Sequence, residues 1–206
     1  MEKLIRKLAV ILATDCVAFS KMMDKNEELT LQNIKLCRQI IDPIIEENGG
    51  RIFHTAGDSA IAEFNSVVDA VNAAIEFQKM LHQRNEEIPE ESKMLFRVGI
   101  HLDDVIMEGD NVYGNGVNVA ARLESLCEAG CILISRNVQE KIVKRIQVAI
   151  DSIGNAQLKN IEGDFPLFQI KPPNASEEMA TLSSNSTDGS SSQIIQTPVI
   201  EESGAT

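Results

Sequence analysis

The sequence predicts an α+β domain, with helices packed on a mostly antiparallel sheet. Three observations predict it. Leu8 to Ala13 is an uninterrupted apolar run of the length of a buried strand. Gly49 to Phe64 has the composition of strand, tight turn and strand. Stretches of helical periodicity then alternate with such extended segments along the chain.

The elements follow in order. Residues 7 to 14 form the first strand, and Asp15 closes it ahead of a short loop, Cys16 to Ser20, whose backbone amides could face an anion. From Glu27 to Asn48 the apolar positions Ile34, Cys37, Ile41, Ile44 and Ile45 keep helical spacing, Pro43 should kink or divide the helix, and Asn48-Gly49-Gly50 stops it. Residues 51 to 55 and 60 to 64 are the arms of the hairpin, with Ala56 to Ser59 reversing the chain. Ser66 caps the next helix, which buries Val67, Val71, Ala74, Ile75 and Leu81 and fades near Asn85. Glu86 to Ser92 is a charged loop around Pro89, Met94 to Ile106 reads as a long strand pair bent at Asp103-Asp104, and Glu108 to Asn111 is a turn. Tyr113 to Leu126 returns to helical spacing and sets Asn118 and Arg122 on one face. A strand at Cys131 to Ser135, a helix at 136 to 144, a strand at Ile146 to Ile150, and Leu158-Lys159 with Pro166 to Ile170 complete the sheet. Beyond Lys171 the composition turns to Pro, Ser, Thr, Asn and Gly, so residues 1–171 are read as the folded domain and 172–206 as a disordered tail.

Composition narrows the function. With 206 residues, 43% of them hydrophobic, the chain can bury one sizeable core. A formal net charge of −12 without a basic run argues against nucleic acid or an anionic membrane surface as partner, and one Tyr with no Trp leaves little to stack on bases. The longest apolar run is too short to span a bilayer or to act as a signal segment, so a cytoplasmic chain with no membrane span is expected. Cys16, Cys37, Cys127 and Cys131 have no paired CxxC spacing and are read as buried reduced thiols, without zinc or disulfide.

The chemistry concentrates on two acids. Asp58 at the hairpin tip would, alone, mean only that Asp suits a turn. Asp15 changes its meaning, because an acid closing a buried strand sits where ligands approach a sheet, and two strand-end carboxylates can make a divalent-metal site.

Four stretches, in this order, resemble the class III adenylate/guanylate cyclase homology domain: Asp15 followed by Phe19-Ser20; the hairpin from Gly49-Gly50-Arg51-Ile52 to Gly57-Asp58; Tyr113-Gly114-Asn115-Gly116-Val117-Asn118-Val119-Ala120-Ala121-Arg122-Leu123; and Leu158-Lys159-Asn160-Ile161. The resemblance covers about residues 7 to 171. It implies a ferredoxin-like βαββαβ core with additions, and a homodimer whose active sites are shared between chains. It also implies that Asp15 and Asp58 hold two Mg2+ or Mn2+ ions, and that Phe19 and Ser20 belong to a turn cradling the triphosphate. By the same resemblance Asn118 orients the ribose, Arg122 stabilises charge on the α-phosphoryl group, and Lys159 binds triphosphate. The substrate implied is ATP, converted to 3′,5′-cyclic AMP and pyrophosphate; the GTP side activity also expected follows from His54 and Asn111.

The chain departs from the family at informative places. Where members that prefer ATP commonly carry lysine and aspartate to read the base, this chain has His54 and Asn111, both able to donate or accept. The hairpin reads Gly57-Asp58-Ser59 instead of Gly-Asp-Gly, and Leu102-Asp103-Asp104-Val105 replaces Leu-Gly-Asp-Val. A serine would be costly if that turn position needed positive φ. The alternative to a working cyclase is a cyclase-fold module that binds nucleotide or a partner without turnover. Retention of Asp15, Asp58, Asn118 and Arg122 favours the enzyme.

Overall fold

The computed structural model describes residues 5–159, 161 and 163–172. Strand β1 (Ile5–Cys16) leads into helices α1 (Phe19–Lys25) and α2 (Glu27–Glu47), then the hairpin β2 (Arg51–Ala56) and β3 (Ser59–Phe64). Helix α3 (Val67–Glu86) connects to β4 (Phe96–Glu108), which turns into β5 (Asn111–Tyr113) and α4 (Asn115–Leu126). The remainder is β6 (Ile132–Ser135), α5 (Arg136–Ile142), β7 (Ile150–Gln157) and β8 (Asp164–Ile170). The sheet runs β2-β3-β1-β4-β6-β8-β7, with β5 attached to β4, and β4 with β6 is the parallel pairing among otherwise antiparallel ones. Its first four strands, in the spatial order β2-β3-β1-β4, form the ferredoxin-like core.

Both faces of β1 are covered, which is why its sequence is continuously apolar. Val10 and Leu12 enter a core with Ile41 of α2, Phe77 of α3 and Val138 of α5. Ala9, Ile11 and Ala13 point the other way, against Ala120 of α4. The close seating of α4 depends on Gly99, since a Cβ there would collide with the Ala120 carbonyl and the Glu124 amide. Local chemistry sets the helix ends: the Asn26 side chain accepts from the Leu29 amide at 3.1 Å, the Ser66 hydroxyl accepts from the Asp69 amide at 3.3 Å, and Gly49 follows α2 at φ 75°.

Several expectations are corrected. Pro43 does not divide α2; its missing amide lies on an exposed side, while Ile41, Ile44 and Ile45 stay buried and Arg38 Nε pairs with Asp42 at 2.6 Å. Met94 to Ile106 is no strand pair bent at Asp103-Asp104, because β4 is continuous and pairs with β1 from Phe96 to Met107; that long partner overrides the poor strand preference of two acids. Tyr113 ends β5 instead of opening a helix, and α4 starts after Gly114 at φ 140°. The strand expected at Ile146 to Ile150 begins only at Ile150, and Leu158-Lys159 lies beyond its end. The expected tail lies outside the described residues apart from Pro172. All four cysteines are buried and free.

Candidate active site

The hairpin tip is a two-residue turn: Ala56 pairs with Ser59, and Gly57 stands at φ 62° beside Asp58. Ser59 needs no positive φ, so serine costs nothing there, and its hydroxyl donates to the Ala56 carbonyl at 2.8 Å. The turn delivers the Asp58 carboxylate to the end of β1, where Oδ2 accepts from the Cys16 amide at 3.1 Å. Burial first, then the neighbouring Asp15 carboxyl through hydrogen bonding and like charge, push the Asp58 carboxyl up to about 6.

Asp15 is held from the other side. Its cross-strand partner on β4 is Arg97, whose Nη2 donates to Asp15 Oδ2 at 3.0 Å and lies 3.0 Å from Glu124 Oε1 of α4. Arg97 Nη1 also donates to the Ser125 carbonyl at 3.3 Å, while its Nε is buried without a hydrogen-bond partner among the described residues. Burial pushes Glu124 up to about 7; Arg97 draws it down, and Asp15 and Asp58 oppose that pull. Two carboxylates therefore share one guanidinium, and a third, Asp58, stands beside Asp15.

Such crowding suits a divalent cation. The protein offers oxygen donors from Asp15 and Asp58, and among the described residues no set of three or more His, Cys, Asp or Glu is placed to cage a metal. That donor set fits Mg2+ or Mn2+ better than zinc, because Mg2+ is commonly held by one or two carboxylates and completes its shell with water and substrate phosphate.

Among the described residues, the other predicted site residues make no hydrogen bond or ion pair with Asp15 or Asp58. Phe19 packs against the main core, Ser20 is exposed in the first turn of α1, and Ala18 before them adopts φ 58°. Asn118 and Arg122 are exposed on α4; the interactions of Asp15 and Asp58 involve Arg97, Cys16 and Glu124, not these two. Lys159 is exposed beyond β7. His54 and Asn111 are exposed on β2 and β5, and a bulge between Ile52 and His54 brings His54 opposite Ile61. Sequence reasoning missed Arg97 and Glu124. The available signal was a charge inside the buried strand segment Phe96-Arg97-Val98-Gly99, but its meaning depends on the β1–β4 register.

Fold and site define a class: a ferredoxin-like α+β domain built around paired strand-end carboxylates. The adenylate and guanylate cyclase catalytic domain family matches residues 5–172, and the chain belongs to that family. A putative adenylate cyclase 3 of Rhizobium meliloti is 33% identical over 179 residues, 86% of this chain and 30% of that protein. An adenylate cyclase of Streptomyces coelicolor is 28% identical over 145 residues, 69% of this chain and 36% of that protein. The crystal structure of an adenylate/guanylate cyclase/hydrolase from Silicibacter pomeroyi superposes with TM-score 0.78 at 35% identity, covering 83% of this chain and 100% of that one. The chain thus spans about a third of the length of these two cyclase relatives. Among the described residues no helix is long and apolar enough to cross a membrane.

Proposed function

We propose that the chain is a nucleotidyl cyclase catalytic domain that works as a homodimer and converts ATP to 3′,5′-cyclic AMP and pyrophosphate, with slower turnover of GTP. The observation that carries this is the pair of neighbouring carboxylates at the end of β1, Asp58 accepting from the Cys16 amide beside Asp15. These two carboxylates would hold two Mg2+ or Mn2+ ions, which supply charge neutralisation at the triphosphate and make the ribose 3′-hydroxyl more acidic. In the reaction a bond forms from the ribose 3′-oxygen to the α-phosphorus, the bond from the α-phosphorus to the oxygen bridging to the β-phosphate breaks, and the hydroxyl proton leaves to solvent. Asn118 orients the ribose and Arg122 stabilises the charge that builds on the α-phosphoryl oxygens. Phe19, Ser20 and Lys159 belong to the triphosphate end, and His54 and Asn111 meet the base.

In this reading two chains share each site. Arg122 and Asn118 have no hydrogen-bond or ion-pair partner among the described residues, which suits side chains completed by a second copy. Incubating the purified chain with ATP or GTP and each metal, and separating the nucleotides by chromatography, should show a cyclic nucleotide. Asp58→Asn should lower its formation at least about a hundredfold. Absence of product with every nucleotide and metal, or an active Asp58→Asn variant, would refute the proposal.

A further inference from the structure

A second charged network lies on the sheet, away from the paired aspartates. Glu63 of β3 is nearly buried, with 8% side-chain exposure, in the middle of a cross-strand arrangement. Lys7 Nζ of β1 stands 2.7 Å from its Oε2. Arg51, its register partner on β2, reaches its Oε1 with Nε at 2.8 Å and Nη2 at 2.6 Å. A buried carboxylate needs such pairing. One arm of the guanidinium is left over, and it does not point to solvent: Nη1 donates to the backbone carbonyl of Asp110 at 2.8 Å.

That last bond crosses the molecule. In the sheet order β3 and β1 stand between β2 and β4, yet β5, which pairs with β4, approaches β2. The β4–β5 hairpin therefore curls back over the sheet, with Val112 packed beside Ala9, Ile11 and Ala13. Its tip is a two-residue turn, Gly109-Asp110, between the paired residues Glu108 and Asn111, with Gly109 at φ 58°. Glu108 to Asn111 are all exposed. Arg51 is a tether from this tip to the body of the sheet, and it grips the carbonyl immediately before Asn111. On its own strand Arg51 lies three residues before His54, just ahead of the bulge that re-aims that side chain.

We infer that Lys7, Glu63 and Arg51 form a clamp that fixes the Gly109-Asp110 turn, and hence Asn111, relative to His54, making Arg51 a positioning residue for recognition of the nucleotide base. The inference rests on the reading of His54 and Asn111 as base-facing residues. Arg suits this task because its planar fork can hold Glu63 with one edge and a carbonyl with another, whereas a lysine offers a single point of attachment. Glu63 acts by fixing the fork, and the Lys7 charge beside it helps keep Glu63 ionised. Loss of the clamp loosens contacts made alike in the bound ground state and the transition state, so the expected change is in KM and not in kcat.

The test is Arg51→Met, which keeps the aliphatic stem and removes every donor, measured beside His54→Ala. For Arg51→Met the KM for ATP should rise at least about fivefold with kcat within about twofold. Amide hydrogen exchange of residues 108–113 should quicken at least about tenfold, while exchange in the remote strand β7 stays unchanged. An ion-pair network with a merely structural role would lower Tm without either change. If His54→Ala raises KM but Arg51→Met leaves KM and exchange untouched, the clamp is overturned. If Arg51→Met quickens exchange and raises KM while His54→Ala changes nothing, the clamp stands and the base-facing assignment of His54 falls.

Discussion

Adding one methyl group at Gly99 tests whether α4 is placed by direct backbone contact with β4. A Cβ at this position would lie 2.9 Å from the Glu124 Cα, where carbon contacts settle near 3.5–4.0 Å. That is a shortfall of at least about 0.6 Å. The Glu124 amide and the Ala120 carbonyl are closer still, and all three are main-chain atoms that cannot rotate away. Helix α4 must therefore move bodily, at a cost of about 1–3 kcal/mol by the usual measure of overpacking. For a domain of this size that lowers Tm by about 2–10 °C. Asn118 and Arg122 ride on the displaced helix, and misplacement on the scale of 1 Å costs turnover about a hundredfold. Gly99→Ala should thus lower kcat far more than its Tm suggests. Leu126→Ala, at a residue 53% exposed on the same helix, serves as the control and should alter neither. The assays are differential scanning calorimetry and cyclic nucleotide formation. A Gly99→Ala protein with unchanged Tm and turnover would refute the seating of α4 on β4.

Mixing inactive Asp58→Ala chains with inactive Arg122→Ala chains should restore about a quarter of wild-type turnover, because random assortment makes about half of the dimers mixed and each of those holds one complete site; confirmed mixed dimers without activity would exclude shared sites. Ala18→Gly should raise Tm by about 1–4 °C, since φ 58° at Ala18 carries about 1–2 kcal/mol of strain that glycine relieves at a smaller entropic cost; a lowered Tm would show that the turn is unstrained. Glu63→Gln should destabilise the protein near neutral pH but converge with wild type in acid. Burial opposes ionisation of Glu63, but Lys7 of β1 and Arg51 of β2 outweigh it and hold the carboxyl below its ordinary 4.5. A lowered folded value makes the unfolded chain bind the extra proton, so the contribution is present above pH 4.5 and is lost as pH falls through the lowered folded value. Urea midpoints across that range check it, and a difference that persists at the lowest pH would count against the ion pairs.

The paired aspartates were legible because their signals are local. A buried strand that ends in Asp15 and a Gly57-Asp58 turn are both read from neighbouring residues, and folding only has to bring two sheet ends together. Arg97 and Glu124 were not legible, since their contact with Asp15 requires the β1–β4 register and the seating of α4 at once. The misplaced strand β7 has another cause. As an edge strand, largely exposed from Asp151 to Asn155, it has no face to bury and so no alternation to read. Ile146 and Val148, which suggested an earlier strand, pack against the core outside any strand. Pro43 misled for a complementary reason, because tertiary burial on both sides of it outweighed a single lost hydrogen bond.

Helix α4 supports the proposed division of the site residues between two chains. At about 100° per residue, Asn118 and Arg122 lie within roughly 40° of each other, whereas Glu124 is turned roughly 200° from Arg122. The buried side of the helix is therefore committed to its own chain: Glu124 meets Arg97, and Arg97 meets Asp15. The exposed side carries Asn118 and Arg122 outward. Rotating the helix to aim that pair at its own Asp15 would pull Glu124 from Arg97 and expose Val119 and Leu123, two side chains at 1% and 0% exposure. Burying two such side chains is worth about 1.5–3 kcal/mol each. A nucleotide that drove such a rotation would have that much less binding energy left for the reaction. This cost supports the proposal that Asn118 and Arg122 act with aspartates supplied by a second copy of the chain.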